Sequence, residues 1–131
     1  MGSRRGGMAL LAAIAAVAGC GGGEGDREAV TVTASEPARV VATEYAFAPD
    51  ALSARAAGGD PAPVTINLAN AGSLAHNLTI LDGDREIEGT KTITGGEQAT
   101  LEASLSPGEY RLVCTVGDHA ERGMVASLRV E

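Results

Sequence analysis

Histidine, cysteine and methionine are scarce in this chain of 131 residues, which has two His, two Cys, three Met and no Trp. Two histidines exclude any centre built from several imidazole-bound metal ions. Two cysteines allow at most one disulfide. Positive charge is also thin, with 10 Lys and Arg against 17 Asp and Glu and a net charge of −7. That balance argues against nucleic acid or an anionic lipid surface as the principal partner. No apolar run approaches the ~20 residues that a helix needs to span a bilayer core of about 30 Å.

The one sizeable apolar run lies at the start. Arg4 and Arg5 precede the stretch from Met8 to Val17, and Val17-Ala18-Gly19-Cys20 follows it, the order of a secretory signal and its cleavage site. Val-Ala-Gly-Cys resembles the lipobox of bacterial lipoproteins, in which the cysteine is lipidated and becomes the new N-terminus. That resemblance implies a signal peptide over residues 1–19, a lipid anchor on Cys20, and a place on the extracytoplasmic side of the membrane, periplasmic or at the cell surface. Removal of the leader takes Arg4 and Arg5 with it, leaving 8 basic against 17 acidic residues and a net charge of −9. A surface of that sign favours a partner with a basic docking patch. It also leaves Met124 as the sole methionine and Cys114 without a disulfide partner. A lone thiol in an exported protein is a liability unless a metal occupies it.

Residues 20–38 are rich in glycine, then acidic and threonine-rich, and read as a flexible tether. Val30-Thr31-Val32-Thr33 within it alternates like a strand and is open to pairing with a domain edge. Residues 39–131, roughly 90, have room for one small domain. The patterning there is all-β: Val40 to Phe47, Val64 to Asn70, Asn77 to Leu81, Thr90 to Ile93, Ala99 to Leu105, Tyr110 to Thr115 and Val125 to Val130 are short β-branched or alternating runs. Turn chemistry separates them at Pro49-Asp50, Gly58-Gly59-Asp60-Pro61, Asn70-Ala71-Gly72, Asp82-Gly83-Asp84, Gly95-Gly96 and Ser106-Pro107-Gly108. A short helical turn is expected around Ala51 to Ala57. About seven strands at this spacing predict a Greek-key β-sandwich.

The scarce residue types converge. Cys114, His119 and Met124 are spaced C-x4-H-x4-M between a strand end and a strand start, and His76 precedes the strand Asn77 to Leu81. A thiolate, two imidazoles and a thioether are the ligand set of a mononuclear copper centre, and the soft thioether favours the reduced ion. Two packed sheets would hold such ligands still between the Cu+ and Cu2+ states.

At this point the chain resembles the cupredoxin family, the single-copper blue proteins that include plastocyanin, azurin and rusticyanin. Glu44-Tyr45-Ala46-Phe47-Ala48-Pro49, the segment Ile66 to Gly72 and Ala75-His76-Asn77-Leu78-Thr79-Ile80 resemble the family's corresponding strands and first-ligand segment. The resemblance implies His76, Cys114 and His119 as equatorial ligands and Met124 as the axial ligand of one copper ion. It also implies Asn77 and Thr115 as residues that brace the ligand loops, Asn77 through its backbone N–H toward the thiolate and through its side chain. His119 would be the electron exit, with Leu74, Ala75 and Ala120 on a docking rim. One departure is Gly117-Asp118-His119, where many members have Pro-Gly-His.

The expected molecule is a monomeric, membrane-tethered single-electron carrier that serves redox partner proteins. The same ligands would also serve an envelope copper carrier or storage protein. Zinc accepts Cys and His, but a methionine in the fourth position speaks against it. Copper enzymes built on this fold need further histidine-bound copper, and the chain has no histidine to spare, so an enzyme is not expected.

Overall fold

The computed structural model describes residues 28–33, 35–58 and 61–131. The signal segment, Cys20 and much of the expected tether lie outside the described residues. Among those residues ten strands form two sheets: β1 (Val30–Val32), β2 (Ala38–Thr43), β3 (Ala46–Ala48), β4 (Ala51–Ala54), β5 (Ala62–Asn70), β6 (Thr79–Asp82), β7 (Arg85–Gly89), β8 (Gln98–Leu105), β9 (Gly108–Val113) and β10 (Val125–Val130). One sheet has the order β1-β4-β10-β9-β6-β7 and the other β3-β2-β5-β8. The architecture is the expected all-β sandwich, with ten strands where about seven were expected.

The core follows from the two-residue period of strands. Ala62, Val64, Ile66 and Leu68 of β5, Ala38, Val40 and Ala42 of β2, and Ala126, Leu128 and Val130 of β10 are all buried, while alternate neighbours face outward. Phe47, Leu52, Leu101, Leu105 and Leu112 complete the layer between the sheets.

Three expectations are corrected. Ala51 to Ala57 is not a helical turn; Ala51–Ala54 is β4, with Leu52 and Ala54 buried, paired in parallel with both β1 and β10. Alanine favours a helix in isolation, but burial of alternate side chains in a sheet outweighs that preference. Val40 to Phe47 is not one strand, because Glu44 and Tyr45 form the turn of the β2–β3 hairpin. Thr90 to Ile93 is not a strand either. It crosses from one sheet to the other: the Thr90 amide donates to the Leu78 carbonyl at 2.8 Å, and Ile93 forms an isolated bridge, exchanging both backbone hydrogen bonds with His76 at 2.9 and 2.8 Å. Instead β7 pairs with β6 around Gly83, whose φ of 61° suits the hairpin turn; its charged residues Arg85, Glu86 and Glu88 disguised an edge strand. The alternating run Val30 to Thr33 does contain a strand. Val30 to Val32 pairs with β4, and Val32 is buried.

Strand direction places the site. Because β2 runs parallel to β5, with Ala42 beside Asn70, the turn after β2 and the loop after β5 emerge at the same end. The antiparallel pair β6 and β9 aligns Thr79 with Val113, so the start of β6 adjoins the end of β9 at that end too. Three connections therefore meet: residues 44–45, 71–78 and 114–124. The second is anchored by a turn at Thr94 to Glu97, where the Glu97 carboxylate accepts from the Thr94 amide at 2.7 Å and from its hydroxyl at 2.9 Å. The Gly96 amide donates to the Asn70 carbonyl, and the Asn70 amide to that of Glu97.

Two measurements check this account. Leu52→Ala should lower the stability of the folded state by about 2–5 kcal/mol in urea titrations, as loss of a fully buried leucine does, while Ser53→Ala next to it should change it little. The Thr94 amide and hydroxyl hold the Glu97 carboxyl below its ordinary value of 4.5. Its contribution is therefore present above that value and lost as pH falls through the lower folded value. Glu97→Gln should make the acid limb of the stability curve shallower.

Candidate metal centre

The Cys114 loop grows out of the β9–β10 hairpin. The Cys114 amide donates to the Met124 carbonyl at 3.2 Å, continuing the ladder by one step beyond Val113 and Val125. Between them the chain closes in successive turns: His119 donates to the Val116 carbonyl, Arg122 to those of Asp118 and His119, and Met124 to that of His119, each at 3.1 Å. Gly117, with a φ of 48°, admits the first turn. Cys114 and Met124 are fully buried, and His119 is 8% exposed.

His76 reaches the same point from the other connection, on a backbone fixed by Ile93, and is itself fully buried. The Cys114 Sγ lies 3.6 Å from Nδ1 of His119 and 4.0 Å from Nδ1 of His76. One donor atom from each of the three residues falls within 4.8 Å of the others, all three residues being buried. The two imidazole rings are 5.0 Å apart. The structure thus brings His76, Cys114 and His119 together around one point, with Met124 in the buried loop beside them.

Asn77 and Thr115 form a reciprocal pair. Asn77 Nδ2 donates to Thr115 Oγ1 and the Thr115 amide donates to Asn77 Oδ1, both at 2.8 Å. Each follows a metal-ligand candidate, so the pair joins the two ligand loops directly. Asp118, the carboxylate beside His119, is paired with Arg122 Nε at 2.8 Å, which holds the guanidinium above its ordinary pKa.

Three further residues had no assigned role in the sequence reading. Asn70 is buried; its Nδ2 donates to the Leu74 and Ile93 carbonyls at 2.8 and 3.0 Å, and its Oδ1 accepts from Gly72. Glu44 Oε1 accepts from the amides of Ser73 at 2.7 Å and Leu74 at 2.8 Å, and lies 3.4 Å from His76 Nε2. The Leu74 amide holds its carboxyl below the ordinary value against some desolvation, helped by Ser73 and His76. Tyr45 and His119 meet in a T-shaped ring contact, 5.2 Å between centroids, with the Arg122 guanidinium over the Tyr45 ring. The turn signal Asn70-Ala71-Gly72 was visible in the sequence, but nothing local points Glu44 at a histidine 32 residues away.

The donor set fits copper. A buried thiolate, two imidazoles turned to it through the same ring nitrogen, and a buried thioether match a soft one-electron metal better than the tetrahedral thiolate and imidazole sets preferred by zinc. Fold and site together define a single-ion copper protein built on a β-sandwich. A family model described as the cupredoxin-like domain matches residues 7–126. The chain belongs to that family. Among solved structures it is similar to auracyanin B (22% identity, 79% of this chain and 89% of that one, TM-score 0.64). It is also similar to auracyanin A, a blue copper protein of Chloroflexus aurantiacus (20%, 78% and 98%, 0.60). A third is an azurin from Methylomonas sp. strain J (19%, 72% and 97%, 0.61). No curated protein matches the sequence.

Asn77→Ala would leave the Thr115 amide and hydroxyl without their partner. It should cost about 1–3 kcal/mol of stability in the metal-free protein and about 10- to 100-fold in copper affinity measured by chelator competition. A variant unchanged in both would contradict the bracing role.

Proposed function

We propose that this protein is a single-electron carrier that works outside the cytoplasm, held to the membrane by lipid on Cys20. The observation that carries the electron-transfer reading is the burial and fixation of the ligands. His76, Cys114 and Met124 are fully buried, and hydrogen bonds between Asn77 and Thr115 lock their loops together. Bound copper supplies the one-electron step between Cu(I) and Cu(II). A ligand cage that cannot relax keeps the structural change on reduction small, which is what fast electron exchange requires. A carrier or storage protein gains nothing from such rigidity, because it must release its ion.

The exit is His119. Of the three nitrogen and sulfur donors that face one another it alone reaches the surface, at 8% exposure. Leu74 is exposed, and Ala75 and Ala120 are half-buried, which gives apolar contact area on the flanking loops for a partner protein. The net charge of −9 after loss of the leader favours a redox partner with a basic docking patch. Export and lipidation rest on Arg4-Arg5, the apolar run and Val17-Ala18-Gly19-Cys20. No part of this reading calls for a catalytic residue.

Voltammetry of the copper-loaded protein should give a reversible one-electron wave with the metal retained over repeated cycles. Loss of copper on reduction would favour the carrier or storage reading. In a bacterial host, Cys20→Ser should move the protein from the membrane to the soluble fraction; an unchanged membrane association would overturn the anchor.

A further inference from the structure

One two-residue turn touches both imidazoles of the centre. Glu44 and Tyr45 join β2 to β3, and the parallel pairing of β2 with β5 carries this turn over the loop that bears His76. The His76 ring is fully buried, with Nδ1 facing Cys114 Sγ and Nε2 facing the Glu44 carboxylate at 3.4 Å. That oxygen is itself held by the Ser73 and Leu74 amides at 2.7 and 2.8 Å. The loop makes room for it: a Cβ at Gly72 would collide with the Glu44 carboxylate. On the other side Tyr45 takes a φ of 64°, unusual for a residue with a side chain, and sets its ring in T-shaped contact with His119. Backbone strain of this kind persists only where surrounding contacts impose it, and it clusters at functional sites.

We propose that Glu44 is a positioning residue of the copper centre: its carboxylate accepts a hydrogen bond from the Nε2–H of His76, turns Nδ1 toward the metal, and biases the site toward Cu(II) by its charge. The inference rests on the copper reading and adds a residue that sets ligand orientation and redox preference. A ligand histidine ordinarily passes its second N–H to a carboxylate, a carbonyl or water, which fixes its tautomer and raises its basicity. Of those partners, only the carboxylate adds a negative charge. That charge stabilises the more highly charged oxidised ion and strengthens the imidazole as its ligand. The buried Nε2 proton has this acceptor directly in front of it, and the acceptor cannot swing away while two backbone amides hold it.

Two readouts test the proposal. In the copper-free, 15N-labelled wild-type protein at pH 8, His76 should show its proton on Nε2 and a bare Nδ1. A proton on Nδ1 would overturn the assignment, and this measurement does not depend on whether the protein carries electrons. In the copper-loaded protein, Glu44→Gln keeps an oxygen to accept from Ser73 and Leu74 but removes the charge. It should retain the colour of the site and shift the ratio of Cu(II) to Cu(I) affinity by about tenfold toward Cu(I), read as a rise in potential of about 59 mV. A potential equal to that of the wild type, in a variant with an unchanged spectrum, would leave Glu44 no part in tuning and refute the proposal. Failure of the electron-carrier reading would look different, as copper loss on cycling in the wild type itself.

Discussion

The hydrogen-bonded pair between Asn77 and Thr115 is the interaction on which the centre depends. His76 and Cys114 belong to connections 38 residues apart in sequence, and each connection alone is a loop with freedom to move. Two bonds of 2.8 Å between the residues that directly follow them convert two loops into one rigid unit. The strand pairings make that possible. β6 and β9 are aligned so that Thr79 faces Val113, which puts Asn77 within reach of Thr115. Ile93 then fixes the His76 backbone from the crossover side, and the Met124 carbonyl closes the Cys114 loop. The Ile93 and Met124 bonds are made between backbones and the Asn77–Thr115 pair through side chains, so sheet geometry and this one side-chain pair set the ligand positions together.

The outer parts of the centre deal with charge. Asp118 brings a carboxylate next to His119, but the ion pair to Arg122 offsets that charge. Arg122 in turn lies over Tyr45, 5.0 Å from its ring centroid, and Tyr45 meets the His119 ring. The chain Asp118, Arg122, Tyr45, His119 packs the exposed side of the centre without placing an uncompensated charge there. Beside the buried His76, the exposed Glu44 carboxylate has its backbone donors and His76 but no Lys or Arg partner among the described residues. The electrostatic balance of the site is therefore uneven, with the negative charge on the side of the buried histidine.

Sequence patterning revealed the sandwich wherever strands alternate cleanly, as in Val64 to Leu68 and Val125 to Val130. It failed where context decides. Ala51-Leu52-Ser53-Ala54 has the composition of a helix and becomes a strand only because β1 and β10 flank it. Arg85 to Gly89 has one large apolar residue, Ile87, and an edge strand with one face in water needs no more. The candidate metal ligands were legible because the chain has so few His, Cys and Met that their spacing stands out. Glu44 and Tyr45 lie in a segment that resembles the family, with no local sign of what they do. The role of Glu44 depends on the parallel pairing of β2 and β5, and no local pattern encodes its contact with a loop about 30 residues later or that of Tyr45 with His119.

The central claim is that His76, Cys114, His119 and Met124 hold one copper ion through a thiolate bond. The most direct measurement is the optical and electron paramagnetic spectrum of the protein loaded with Cu(II). The account predicts an intense visible thiolate-to-copper charge-transfer band from a single paramagnetic ion, lost in Cys114→Ser while the fold remains. A Cu(II) complex without that band, in a protein that keeps zinc through purification, would contradict it.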